Sequence, residues 1–154
     1  MAGITTAMCT SFKGELPQAV HNFTITTGHV FKCALFKSVA LVAGTYGAAS
    51  TNYSQMGTDE LATATGYTQP GFAWTAAQNI TPLTSGTGAY WSWSVNPSWT
   101  SATFTTSGCM MYNSTQSGKS LACFSFGGDE VIVAGTFTIT LPTNGVGTSV
   151  LQLN

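Results

Sequence analysis

Apolar side chains recur every three or four residues at the start of this chain and in short, turn-punctuated runs after it. Ile4, Met8, Phe12, Leu16, Ala19 or Val20, and Phe23 make a stripe that one face of a helix would carry. Thr5 or Thr6 could cap its start. Gly14 and Pro17 interrupt it, and an interior proline costs about 3 kcal/mol. The pattern therefore predicts a bent helix, or a helix followed by a second short turn opened by Pro17. Gly28 ends the segment.

From Val30 onward the pattern changes to β. The run Val30 to Lys37 is β-branched and aromatic with imperfect alternation, as a strand would be. Further strands are predicted near Phe72 to Gln78, Ala89 to Val95, Ser101 to Thr106, Cys109 to Tyr112, Leu121 to Phe126, Val131 to Thr140 and Ser149 to Leu153. The Ala43 to Ser50 stretch reads as a loop, and Asp59 to Thr65 is ambiguous between a helical turn and a strand. Turn signals such as Asn96-Pro97, Ser107-Gly108, Gln116 to Gly118 and Gly127-Gly128 separate the strands. Such spacing predicts a mainly β chain, a single antiparallel β-sandwich or jelly-roll-like domain (28–154) carrying an N-terminal helical arm (1–27).

Composition narrows the function classes. The 154 residues hold 26 threonines and 15 serines but only four lysines, no arginine and five acidic side chains. Ordinary globular domains are about a quarter charged. A surface of neutral hydroxyls suits a protein packed against neighbours, because each charge buried at an interface needs a partner. Too few cations are present for nucleic-acid binding by counterion release. The apolar stretch Val39 to Ala43 is far short of the roughly 20 residues of a membrane helix. Lys13 is the first charge, so no basic segment precedes an apolar run, and synthesis in a cytoplasm without a secretory leader is expected. Cys9, Cys33, Cys109 and Cys123 are then expected as buried reduced thiols rather than ligands of a metal shared with His21 or His29. The triplets Asn22-Phe23-Thr24, Asn52-Tyr53-Ser54, Asn79-Ile80-Thr81 and Asn113-Ser114-Thr115 are chance sequons in a Ser/Thr-rich chain.

Candidate chemistry is sparse, and neither a cofactor nor a metal is expected. Gly127-Gly128-Asp129-Glu130 matches a diguanylate-cyclase signature in four residues only, and a hairpin loop with two solvated carboxylates is the expected alternative. Gly118-Lys119-Ser120 resembles the end of a phosphate-binding loop, but the strand-like LACFSF follows where a helix is required. The carboxylates of Asp59-Glu60 and Asp129-Glu130 could pair for glycoside hydrolysis only across the fold, and nothing singles out a Ser-His-acid triad. The strand Tyr90-Trp91-Ser92-Trp93-Ser94-Val95 puts Trp91, Trp93 and Val95 on one face and Tyr90 on the other. Such a face is core, subunit interface or a stacking platform for a sugar.

Met8-Cys9-Thr10-Ser11-Phe12-Lys13, then Glu15-Leu16, then His21-Asn22-Phe23 form the strongest of several ordered strings. Phe31 to Leu35, Gly44-Thr45-Tyr46, Thr51 to Ser54, Gly66-Tyr67, Trp99 to Ala102, Met111 to Thr115 and Phe126 to Gly128 follow. Together they resemble a family of small structural proteins of tailed bacteriophages and prophages. Gly14 and Pro17 depart from the smoother helix of similar proteins, and Lys119 stands where an arginine is more usual. The resemblance implies a non-enzymatic virion protein, assembled in the bacterial cytoplasm, with a capsid cement or decoration role leading. Its partners would be the major capsid protein and further copies of itself, with no nucleic acid or membrane. A tail or fibre location, or a carbohydrate-binding module using Tyr90, Trp91 and Trp93, is the alternative. The arm, through Ile4, Met8, Phe12, Leu16 and Phe23, is expected to lie in a groove of a neighbour, so that Phe12→Asp would spare the isolated fold.

Overall fold

The computed structural model describes residues 2–78 and 83–153, so the Asn79-Ile80-Thr81 triplet lies outside the described part. In chain order the elements are β1 (Gly3–Ile4), β2 (Ala7–Met8), α1 (Thr10–Glu15), β3 (Phe31–Leu35), β4 (Thr45–Tyr46), β5 (Phe72–Trp74), β6 (Leu83–Ser85), β7 (Gly88–Trp91), β8 (Ser98–Asn113), β9 (Lys119–Thr138) and β10 (Leu151–Leu153). The chain is mainly β, as its punctuation predicts. One sheet has the order β2-β9-β8-β3-β5, all antiparallel, and a second has the order β10-β7-β6, also antiparallel. A short parallel pair joins β1 to β4.

The helical arm is minimal. Only Thr10–Glu15 is α-helical, and Cys9 at its start offers no side-chain cap. Gly14 weakens the helix from within, and Pro17 follows directly on the C-cap Leu16, where it has no N–H to continue the ladder. Upstream, Ile4 and Met8 are extended rather than helical. A four-residue spacing is close to one helical turn but is also a whole number of strand repeats, so the stripe fits both periods. Hydrogen bonds decide between them. Gly3 N donates to Gly44 O at 2.8 Å, Thr5 N to Tyr46 O at 2.9 Å and Cys9 N to Leu121 O at 2.9 Å.

The β8–β9 hairpin is longer than its turn signals imply. Ser107-Gly108 and Gly127-Gly128 do not reverse the chain, which turns only between Asn113 and Lys119. They mark an irregularity instead. Gly108 faces Ser125 and Thr106 faces Glu130, so residues 126–129 bulge from the ladder. Gly127, at φ +87°, supplies the left-handed conformation there.

Burial explains the change of pattern along β8. From Trp99 to Phe104 buried Trp99, Ala102 and Phe104 are separated by exposed residues, with an irregularity between Trp99 and Ala102, because the far half of the hairpin is covered on one face. From Thr106 to Asn113 every residue is buried. There the sheet carries one core against α1 and β7, whose members include Phe31, Cys33, Trp74, Trp91, Trp93 and Met111. On its other face a second core joins Ala34, Phe36 and Met110 to Val42, Tyr46 and Met56 from the 42–56 segment. A strand buried on both faces reads as a continuous apolar run.

Gly71 shows how tightly β5 meets β3. Its φ is +89°, and a Cβ there would lie 2.1 Å from Cys33 O and 2.8 Å from Ala34 Cα. Gly127 has nearly the same φ with nothing within 4 Å of its would-be Cβ. Chemical denaturation should therefore show Gly127→Ala losing about 1–2 kcal/mol from the backbone conformation alone. Gly71→Ala should lose clearly more, because backbone must shift as well.

Candidate functional site

The apolar stripe of the N-terminal segment packs against the chain's own core, with Phe12 buried and Ile4, Met8, Leu16 and Phe23 half-buried. Phe12, on α1, is 3% exposed and meets the His21 ring edge-on at a centroid distance of 4.9 Å. Phe23 stacks on Phe31 at 4.8 Å and touches Trp91 at 4.3 Å. Met8 and Leu16 pack against the same cluster, and Ile4 packs against the core on the opposite face of the sheet. A groove in a neighbour is thus not what covers this stripe.

The aromatic strand is internal too. Trp91 and Trp93 are 4% and 5% exposed, and Tyr90 is also buried. Trp93 stacks on Trp74 at 4.2 Å with an interplanar angle of 12°, and Trp91 meets Trp93 edge-on at 4.5 Å. Trp74 donates its indole N–H to Val95 O at 2.7 Å. The Trp93 Nε1 has no hydrogen-bond partner among the described residues.

The few charges are largely tied down. Asp59 is buried, accepts hydrogen bonds from Gly44 N at 2.7 Å and Tyr46 Oη at 2.8 Å, and pairs with Lys37 Nζ at 2.9 Å. Burial alone would raise its pKa, but these donors together hold it well below the usual carboxylate value. Glu60 accepts from the hydroxyls of Tyr53 and Tyr67. Neighbours in sequence, the two carboxylates serve separate closed networks. Asp129 is exposed, as expected of a solvated carboxylate, but it sits in a bulge of β9 rather than a hairpin loop and accepts from Ser38 Oγ at 2.6 Å and Val39 N at 2.7 Å.

A further network was not legible in the sequence. Glu15, at the end of α1, ion-pairs with Lys119 and lies 2.7 Å from His21 Nε2. Asn113, fully buried, places its Nδ2 at 3.0 Å from His21 Nδ1 and 2.9 Å from His29 Nδ1. An amide nitrogen only donates, so His21 Nδ1 accepts and its Nε2 carries the proton given to Glu15. With both nitrogens engaged, His21 ties α1 and the 21–29 loop to the β8–β9 turn. Burial lowers the pKa of both histidines, and Glu15 opposes that only in part for His21. Burial raises Glu15, yet the Lys119 and His21 hydrogen bonds outweigh it and lower its pKa overall. Lys119, read from sequence against a phosphate loop, is one end of this network.

The remaining sequence candidates have local structural roles. Asn22 Oδ1 accepts from Thr24 N at 2.9 Å, and Asn52 caps the 3-10 turn Tyr53–Gln55. All four cysteines are free and buried. A hydrogen bond from Cys123 lowers Cys9 to about 7 against the opposing effect of burial, but no part of Cys9 reaches the surface. Among the described residues no group of three His, Cys, Asp or Glu side chains could hold a metal, and no helix is long and apolar enough to cross a membrane.

What the surface does offer is aliphatic. Val131 and Val133 on the far half of β9 are 69% and 75% exposed, and Val39 and Leu41 are exposed on the loop that Asp129 ties to that strand. Sequence reasoning placed Val131 and Val133 in an ordinary strand; their outward alternation with Ile132 was the available signal.

Two tests follow from this geometry. Phe12→Asp should abolish the cooperative unfolding transition seen by circular dichroism, since it buries a carboxylate beside apolar rings. The lowered histidine pKa values mean the unfolded chain binds more protons below 6.5, the ordinary imidazole value. Thermal stability should fall as pH drops through that value, and fall again in the carboxylate range as Glu15 and Asp59 protonate. His21→Gln with His29→Gln should flatten the first decline and leave the second.

Compared with protein-family models, with curated proteins and with solved structures, the chain matches none.

Proposed function

We propose that this chain is a non-enzymatic structural protein of a tailed-phage virion, and specifically a cement or decoration protein that binds the major capsid protein. The single observation carrying this reading is the exposed aliphatic surface of Val39, Leu41, Val131 and Val133 on a chain whose buried carboxylates, Asp59 and Glu60, are already held by internal partners. Asp129 ties the Val39 backbone to the strand that carries Val131 and Val133, and exposed apolar area of this kind marks contact sites for other proteins. The ordered strings beginning Met8-Cys9-Thr10-Ser11-Phe12-Lys13 support the virion setting. The N-terminal side chains do not contribute to that contact surface, because they pack against the chain's own core. Ring contacts also support reading the two larger sheets as layers of a sandwich: Phe31 of β3 lies 6.3 Å from Trp91 of β7 and 5.6 Å from Trp93. The sugar-module alternative needs an open aromatic face, and Trp91 and Trp93 are buried.

Particles lacking the protein, incubated with purified chain, should take it up to saturation at hundreds of copies each, read by gel densitometry. Val131→Asp with Val133→Asp should fold normally and bind at least about ten-fold more weakly, since a desolvated carboxylate opposes the contact. A saturating count of a dozen or fewer would favour the tail, and no uptake of the unaltered chain would refute the cement role.

A further inference from the structure

Residues 17–29 form a strap without helix or strand between α1 and β3. Its backbone hydrogen bonds run largely within itself, as from Gly28 N to Thr24 O and from His29 N to Asn22 O, both at 2.8 Å. Thr26 N reaches outward, to Ala76 O at 2.9 Å. Ala19 and Thr26 take the left-handed backbone region, at φ +54° and +68°, a strained conformation for residues other than glycine. Phe23 lies on Phe31 and Trp91, and both rings beneath it are buried. What fixes the strap to the sheet is chiefly Phe23 and the two histidines that flank it in sequence, His21 and His29.

The histidine bonds admit one protonation state. Asn113, at the end of β8, is fully buried, and its amide orientation is fixed by Gln116 N, a backbone donor 3.1 Å from Asn113 Oδ1. Both amide hydrogens are therefore turned to the histidines, one to each Nδ1. His29 Nδ1 also accepts from the backbone N of Asn22 at 3.3 Å. The second proton of an imidazolium must go to Nδ1, where it would set a donor against a donor. Turning the amide over would instead set its nitrogen against Gln116 N. The closed strap thus excludes the charged form of both rings. The surrounding charges do not reverse this. Burial, the largest influence, lowers the pKa of both histidines; Glu15 of α1 opposes it at His21, while His29 and Lys119 of β9 add to it. Glu15 is moreover shared with Lys119.

We propose that residues 17–29 are an acid-released strap. Proton uptake at Nδ1 of His21 and His29 breaks their bonds to Asn113, and the strap lifts away with Phe23, uncovering Phe31 and Trp91 while the β8–β9 hairpin stays paired. The proposal concerns the isolated chain and does not depend on the virion reading. Hydrogen exchange of the full chain, followed by mass spectrometry and corrected for the intrinsic pH dependence of exchange, reads the opening. A histidine that takes its proton only in the open form, at an ordinary value near 6.5, raises the population of that form about ten-fold between pH 7.5 and 5.5. Protection of peptides from residues 17–29 should therefore fall at least about ten-fold over that range. Peptides from residues 106–113 should stay better protected than the strap, and the cooperative unfolding transition should persist at pH 5.5. Asn113→Asp, which replaces the donor by an acceptor of the same size, should remove the fall; a merely structural role for Asn113 would leave the fall in place at lower protection. His21→Gln with His29→Gln should give strap protection independent of pH, and this decides the matter if Asn113→Asp does not fold. The proposal is overturned by strap protection that does not fall, by residues 106–113 losing protection to the level of the strap, or by a fall that persists in the double glutamine variant or in folded Asn113→Asp.

Discussion

Burial of the inner half of the β8–β9 hairpin on both faces is the constraint from which the rest of the structure follows. Eight consecutive residues, Thr106 to Asn113, are buried there. A sheet segment with no solvated face needs two covering layers, and the chain supplies both. Aromatic side chains from β7, Trp93 and the N-terminal segment cover one face, and the 42–56 segment covers the other. The N-terminal stripe is recruited for this purpose, which is why it cannot also serve as a free arm.

The scarcity of charge has a structural counterpart. Asp59 closes a ring of donors from the 37–46 segment, Glu60 joins two tyrosines, and Glu15 links α1 to Lys119 and His21. Each carboxylate acts as an internal tie between segments that have little regular structure of their own. Such ties compensate for short elements: β1, β2 and β4 have two residues each. Charges used this way leave much of the surface neutral, a property suited to dense packing against other proteins.

Two apolar features remain after the core is assembled, and they differ in kind. Val131 and Val133 project outward on a strand whose other face, through Ile132 and Phe137, packs inward. The cleft between the large sheet and the C-terminal segment is concave and lined by apolar side chains, including Met8, Phe12, Phe23 and Leu151.

The sequence by itself determined the β class, the positions of most strands and the poverty of candidate chemistry, because strand alternation, turn residues and charge count are local properties. Val30 to Lys37 reads as a strand, and β3 occupies Phe31–Leu35. Tertiary structure alone decided the rest. The spacing of Ile4, Met8, Phe12 and Leu16 fits helix and strand alike, and hydrogen bonds to residues 44, 46 and 121 made its first part extended. Gly127-Gly128 and Ser107-Gly108 look like turns, but pairing across a long hairpin converted them into a bulge. The network of Glu15, His21, His29, Asn113 and Lys119 joins residues up to 104 positions apart, a distance at which no local pattern carries information. Whether an aromatic face is core or surface is likewise a question of what covers it, and only the folded chain answers that.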